Sequence, residues 1–539
     1  MTTPHFPGRD ECVIPELLER QANERADEIF AAFPDRTWTF AEVAEHAWRF
    51  GRGLITLGLR PGEHVSVWTP PSPELIQAWF GVNSAGGVYA PLNLAARGTF
   101  LQHAINLVQP RILVAHPSLL ERLVALELPT LEAVIVTGEI PEVDLPYRLI
   151  AFDDVPDAND GTRPALDVPR EAWDDFAVVY TSGTTGPSKG VRLSYASHWL
   201  YSRSFVWNDI GPDDVYLLSL PLFHVSGTSV TYAMLERGGR LAFSRPFHPK
   251  TFWEDVRETG ATCTAVLHGM IPFLLAEPPS EAEVDNPLRN VYMGPLSRVP
   301  EFRERFGVDI YTAFGMTEAP CPLRSGLNPT NEQAVGRRFN PDYEVRIVDE
   351  HDLPVPDGTP GELILRHSMP WMVNSGYVNM PEATAAAWRN GWFHTGDQLV
   401  VDENGEFLFV DRVKDAIRRR GENISSYEVE IEVLSHPDVD QAAAVGIANP
   451  DLDEETSEQE VKVVIVAVEG REIDPRELTE YLIPRMPRHM VPRYIEVVPE
   501  LPRTPSFKIK KAELREAGIT PATWDREAAG IKLRRESFA

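Results

Sequence analysis

Residues Phe176–Val191 read FAVVYTSGTTGPSKGV. The apolar run FAVVY passes directly into TSGTTGPSKG, Thr181–Gly190, which holds three glycines, five hydroxyl residues, a proline and one lysine. A buried strand feeding such a loop is phosphate-binding geometry, because glycines let the backbone approach an anion and successive N–H groups form a nest for it. Thr181, Ser182, Thr184, Thr185 and Ser188 add hydroxyl donors, and Lys189 adds a point charge. The lysine precedes Gly190, which excludes a Walker loop, and the dinucleotide pattern G-x-G-x-x-G is absent. Taken alone, a short glycine-rich stretch reads equally well as a flexible surface loop.

Around this loop, short β-branched runs alternate with helical patterns. HVSVWTP, RILVAHP and AVIVTG read as buried strands, and PELIQAWFGVNSAGG and PKTFWEDVRETG as helices between strands. Such alternation implies parallel sheets covered by helices. Past about residue 335 the pattern changes. YEVRIVDEHDLPVPDGTPGELILRH reads as a hairpin around a Pro/Asp/Gly turn, in a small barrel-like antiparallel part. An α+β pattern follows. Ser425-Ser426-Tyr427-Glu428 reads as a capping box opening a helix, QAAAVGIA and VKVVIVAVE as strands, and DPRELTEYLIPRM as a helix. DLDEETSEQE reads as a solvated acidic loop. The expected fold class is α/β: a large N-terminal domain, 1–411, and a smaller mobile α+β C-terminal domain, 416–539, joined by a hinge at 412–415.

Composition narrows the function. The 539-residue chain carries 51 basic and 80 acidic side chains, a formal charge of −29, which argues against nucleic acid as a partner. No apolar run approaches the roughly 18 residues of a membrane span. The opening MTTPHFPGRDECVIPELLERQ lacks the apolar stretch of a signal peptide, so no membrane partner and a cytoplasmic location are expected. Cys12, Cys263 and Cys321 are too few and too scattered for a disulfide framework or a zinc site. The sequence does not report oligomeric state, and a homodimer stands only as a default.

The full string TSGTTGPSKG, followed in order by YTAFGMTE, GWFHTGD, DRVKD and FKIK, resembles the adenylate-forming enzymes: acyl-CoA synthetases, luciferases and peptide-synthetase adenylation domains. NVYMGPL, ERFGVDIYTAFGMTE and RRRGENISSYEVE look most like the bacterial crotonobetaine/carnitine-CoA ligase group. The resemblance implies ATP, Mg²⁺ and coenzyme A. A carboxylate would attack the α-phosphate of ATP to give acyl-AMP and pyrophosphate, and a thiol would then displace AMP.

The same resemblance assigns roles. Thr181, Ser182, Gly183, Thr184, Thr185, Gly186 and Lys189 would grip the leaving phosphates. Phe314 would flank the adenine beside Gly294, Pro295, Gly315 and Met316, with Phe where many relatives have Tyr. Thr317 would contact the α-phosphate, and Glu318 and Thr185 would hold Mg²⁺. Asp397 would accept the ribose hydroxyls, Arg412 would make a second ribose or phosphate contact, and Lys414 marks the hinge. Lys508 would reach over the adenylation site, although Phe507 replaces the usual preceding glycine and Lys510 and Lys511 are close rivals. Arg418, Arg420 and Gly421 would meet coenzyme A, the run of three arginines forming a landing site for its phosphates.

The acid pocket would be bordered by His224, Val225 and Gly227, with Gly315, Tyr292 and Met293 at its floor. Most relatives have glycines where Tyr292 and Met293 stand, so a short or compact acid is expected. A carboxylate needs no deprotonation near neutral pH, so His224 reads as a gate rather than a base. Two alternatives stay open: a different acceptor such as an amine, a carrier-protein thiol or nitrite, and a catalytically silent nucleotide-binding protein.

Overall fold

The computed structural model describes all residues except 1–4, 156–160, 182–187, 205–209, 246, 268–269, 295, 297, 413–415, 420–421, 450–457, 503–508 and 534–539, together with the side chains of 204, 411, 412, 416, 423, 427 and 512 excepted. Two seven-stranded sheets dominate the N-terminal part. In the first, Arg148–Ala151, Ala133–Val136, Ile112–Ala115, His64–Trp68, Val88–Pro91 and Asp175–Thr181 run parallel, and Lys189–Ser194 closes the edge antiparallel. In the second, Asp309–Tyr311, Asn290–Gly294, Cys263–Leu267, Val215–Leu218, Arg240–Phe243 and Ile29–Ala32 run parallel, with Thr37–Thr39 antiparallel at the edge. Helices Phe40–Thr56, Pro73–Ser84, Tyr195–Ser204 and Val225–Arg237 join the sheets through one apolar core that includes Phe40, Trp79, Tyr195 and Tyr232. This is the helix-covered parallel architecture that the strand–helix alternation implies. All three cysteines are buried and free.

The antiparallel part is a third seven-stranded sheet, ordered Ala313–Met316, Ala319–Arg324, Ala334–Arg338, Phe407–Arg412, Phe393–Val401, Gly361–His367, Tyr343–Val348. Its first and last strands do not pair among the described residues, so the barrel-like expectation is corrected to an open sheet. The C-terminal part holds a hairpin, Ala416–Arg419 with Glu422–Ser425, and a four-stranded sheet of Val439–Ala448, Gln459–Ala467, Tyr494–Val497 and Trp524–Asp525. The acidic stretch read as a loop falls mostly at 451–457, outside the described residues.

The two parts touch at named points. Ser188 meets Glu428, Thr99 meets Glu432, and His224 meets Glu422. The expected capping box is present in its Ser425 half: Ser425 Oγ accepts from the Glu428 N–H at 3.3 Å. The Glu428 carboxylate itself reaches across to Ser188. No helix among the described residues is long and apolar enough to cross a membrane.

Candidate functional site

In the second sheet, Val215–Leu218 and Cys263–Leu267 are neighbours, and the chain leaves the first toward Arg240–Phe243 on one side and the second toward Asn290–Gly294 on the other. That divergence opens a crevice outside the carboxyl ends of the strands, where open α/β sheets bind ligands. The sequence motifs converge on these ends. His224 follows Leu218, Gly294 ends its own strand, and Phe314–Glu318 follows Tyr311.

The glycine-rich loop is the tip of an antiparallel hairpin. Asp175–Thr181 returns as Lys189–Ser194, with Thr181 paired to Lys189. Ser182, Gly183, Thr184, Thr185 and Gly186 lie outside the described residues, but both ends of the loop are defined. Gly190 is required here, because a Cβ would fall 2.7 Å from Val378 and 2.8 Å from Val178. The outer edge of the return strand is covered by residues 374–378. Ser375 N–H donates to Arg192 O at 3.0 Å and Val378 N–H to Gly190 O at 2.9 Å.

This covering segment supplies Tyr377, which sequence reasoning missed. Its hydroxyl donates to Glu318 Oε1 at 3.0 Å, and the Lys189 ammonium lies 5.2 Å from its ring centroid. One aromatic side chain therefore links the loop cation to the buried carboxylate of YTAFGMTE. Burial, and then the Glu318 charge, push the Tyr377 phenol far up, so it stays a donor. Asn374 fixes the motif from behind, donating its N–H and its Nδ2 to Glu318 O, each at 3.0 Å. Nothing in NSGYVN marks Tyr377 by type or spacing; only its antiparallel course beside Lys189–Ser194 does.

Glu318 presents hard carboxylate oxygen, linked through Tyr377 to Lys189, and is a donor type suited to Mg²⁺. Thr185, the second expected metal contact, is outside the described residues. Thr317 and Met316 are half-buried, and Gly315 is exposed. A Cβ on Gly315 would meet Cys321 Sγ at 2.6 Å, which explains the glycine. The Phe314 ring is buried among Leu323, Ile347, Leu363, Leu399 and Phe407, so the exposed surface of this motif is the Gly315 backbone rather than the aromatic face.

Asp397 and Arg412 face each other as register partners on adjacent strands, and Asp397 is buried, its N–H donating to Thr395 Oγ1 at 3.1 Å. The Arg412 side chain, Lys414, Pro295, Arg420, Gly421, Phe507 and Lys508 lie outside the described atoms. The rivals of Lys508 are engaged elsewhere. Lys510 Nζ lies 2.6 Å from Glu513, and Lys511 Nζ lies 2.7 Å from Glu430 and 2.8 Å from Ser426 Oγ.

The acid-pocket expectations separate by strand pleat. Tyr292 and Met293 are consecutive in one strand, so their side chains point to opposite faces. Met293 is fully buried among Val266, Val291, Phe302 and Ile310 and cannot form a pocket floor, which corrects its expected role. Tyr292 points to the opposite face, half-buried against the main apolar core. Its ring folds back over Gly294, where a Cβ would lie 2.6 Å from the hydroxyl, and burial pushes its phenol up. Gly227 is also buried. A Cβ there would fall 2.3 Å from Pro221 O, so this glycine is demanded by the turn that presents His224.

His224 stands as N-cap of Val225–Arg237, and its Nε2 lies 3.2 Å from Glu422 Oε2 of the C-terminal hairpin. Burial works against the Glu422 charge, yet His224 and His489 nearby hold its carboxyl below the usual range. The arginine run also divides. Arg418 is half-buried, and its guanidinium acts electrostatically on Tyr292. Arg419 is buried, 2.6 Å from Glu460, and donates to His489 O and Val491 O. The landing site of three arginines is corrected: Arg419 holds the C-terminal domain together.

The family described as AMP-binding enzyme matches residues 18–378, and its C-terminal domain matches 428–508. The chain is 31% identical to a feruloyl-CoA synthase from Amycolatopsis over 88% of its length and 93% of that protein. It is 30% identical to a crotonobetaine/carnitine–CoA ligase from Salmonella choleraesuis, over 89% and 93%. Its fold superposes on the amide bond synthetase McbA from Marinactinospora thermotolerans with a TM-score of 0.78 at 27% identity, covering 93% of this chain and 99% of that one.

Proposed function

Because the chain belongs to the AMP-binding family of adenylate-forming enzymes, we propose that it activates a compact carboxylic acid with ATP and passes the acyl group to coenzyme A. The observation that carries this reading is the Lys189–Tyr377–Glu318 arrangement at the mouth of the glycine-rich hairpin. Two anions must meet there, and a lysine joined through Tyr377 to a carboxylate that would hold Mg²⁺ offsets their repulsion.

In the first step the acid's carboxylate oxygen attacks the α-phosphorus, and the bond to the bridging oxygen of pyrophosphate breaks. Lys189 and the loop hold the β- and γ-phosphates. Glu318 would hold Mg²⁺, which supplies charge neutralisation when bound. Asp397 and Arg412 would seat the ribose, and Lys508 would bridge acid and α-phosphate. In the second step the thiolate of coenzyme A attacks the acyl carbon and AMP leaves. Residues 412–415, with Lys414, would be the hinge between domains 1–411 and 416–539, and Arg418, Arg420 and Gly421 would line the approach of coenzyme A.

Tyr292 folded over Gly294 supports a short or compact acid. A second reading, with an amine as acceptor, draws on the likeness to an amide bond synthetase. A pyrophosphate-release screen over a panel of acids, with and without coenzyme A, separates these. Acid-dependent pyrophosphate with an acyl-CoA product is expected. Pyrophosphate without such a product promotes the second reading, no pyrophosphate with any acid defeats both, and a preference for palmitate defeats the compact-acid assignment.

A further inference from the structure

We propose that Asn374, its amide locked by Trp388, is a positioning residue that fixes Glu318 for its metal ion. The inference rests on the reading of Glu318 as the carboxylate that would hold Mg²⁺. Met316 pairs with Ala319 across adjacent antiparallel strands, so Thr317 and Glu318 are the two central residues of a tight hairpin turn. Two-residue hairpin turns ordinarily match the twist of their strands through residues of positive φ. Neither Thr317 nor Glu318 takes a positive φ. The turn that carries both expected phosphate and metal contacts therefore lacks the backbone geometry that holds such connections by itself.

Asn374 supplies the missing support. Its N–H and its Nδ2 both donate to Glu318 O, each at 3.0 Å. Its Oδ1 accepts from the Gly376 N–H at 2.9 Å and from Trp388 Nε1 at 3.1 Å. Those bonds fix which way the amide points, since the flipped group would set its NH2 against two N–H donors and its oxygen against the Glu318 carbonyl. Tyr377, in the same short segment, holds the other end of Glu318 through Oε1. Glu318 is thus gripped at its carbonyl and at its carboxylate from one side. The segment is pinned in turn to the helix Pro381–Ala387, where the Tyr377 N–H donates to Thr384 Oγ1 at 2.9 Å and Trp388 ends the helix with its N–H on Thr384 O at 3.0 Å. Trp388 is half-buried and makes no bond to Glu318 in this network; its effect on that residue passes through Asn374. A metal-holding carboxylate that loses the groups orienting it commonly loses about 10–100-fold in metal affinity.

The test measures the affinity of the full chain for Mn²⁺·ATP, with Mn²⁺ standing in for Mg²⁺, from the paramagnetic resonance signal lost on binding. Asn374→Ala is expected to weaken binding about tenfold, and Trp388→Phe, which keeps a ring and removes the donor, about threefold. Calorimetric affinity for AMP, which needs no metal, is expected to stay unchanged in both. Unchanged Mn²⁺·ATP affinity in Asn374→Ala overturns the positioning, and unchanged affinity in Trp388→Phe overturns the lock. An equal loss of AMP affinity overturns both, since the nucleotide site as a whole is then disturbed. Where Asn374→Ala shows no cooperative thermal transition, Trp388→Phe decides alone. Glu318→Gln separates the premise from the inference. Full Mn²⁺·ATP affinity in Glu318→Gln overturns the metal reading and the positioning with it. Weakened binding there, with Asn374→Ala and Trp388→Phe unchanged, overturns the positioning alone.

Discussion

The Tyr377 hydroxyl donates to Glu318 Oε1 at 3.0 Å while the Tyr377 ring faces the Lys189 ammonium at 5.2 Å. Residues from three distant stretches of chain are thereby bound into one unit. Tyr377→Phe keeps the ring and removes the hydrogen bond to a charged group, a loss of about 1.5–3 kcal/mol in ground-state terms. Acid-dependent pyrophosphate exchange should fall about tenfold or more, and Tyr377→Ala, which also removes the ring beneath Lys189, should fall further. Equal rates for the unmodified protein and Tyr377→Phe would remove Tyr377 from the site.

Burial raises the Glu428 carboxyl to about 7, above an ordinary 4.5, against the opposing effect of its Ser188 bonds. A carboxyl raised on folding binds more protons folded than unfolded between those values, so its contribution to stability is lost as pH rises through that window. Thermal unfolding from pH 4.5 to 8 should therefore show Glu428→Gln gaining on the unmodified protein with rising pH. The relative gain should be on the order of 3 kcal/mol and level off above about pH 7. A difference that is flat across the window contradicts the raised carboxyl.

Tyr292 and Met293 should separate cleanly. Met293→Ala empties a fully buried position and should cost about 2–5 kcal/mol in denaturant unfolding, with the order of preferred acids unchanged. Tyr292→Ala should broaden the range of acids accepted, read by pyrophosphate release across the same panel. A changed acid preference in Met293→Ala would reverse the assignment of faces.

Arg418 and Arg419 make a second such pair. Arg419→Ala leaves Glu460 buried without its 2.6 Å partner and should destabilise the C-terminal domain by about 3–5 kcal/mol. Arg418→Ala should leave stability near its starting value and raise the KM for coenzyme A. An unchanged KM would exclude Arg418 from the coenzyme A approach.

Much of this molecule was legible before its structure. The strands Asp175–Thr181, Ile112–Ala115 and Ala133–Val136 and the helix Pro73–Ser84 follow from runs of β-branched residues and from Ser72 and Pro73 at a helix start. The hairpin Tyr343–Val348 with Gly361–His367 follows from its turn residues. The order of motifs carried the resemblance to adenylate-forming enzymes because each motif is a short contiguous string that survives in sequence. Closure of the antiparallel part was not legible, since it depends on whether the edge strands Ala313–Met316 and Tyr343–Val348 meet.

By itself, then, the sequence determined the fold class, and it carried the resemblance that made Thr181–Lys189 and Glu318 candidates, because these rest on short-range pattern and short local motifs. The tertiary structure alone decided that Tyr377 belongs with them, that Met293 turns away from Tyr292, that Arg419 is a core ion pair, and that Glu428 reaches Ser188. Those outcomes depend on strand pleat, on which edge a distant segment covers, and on how one domain is set against the other. No local stretch of chain carries that information.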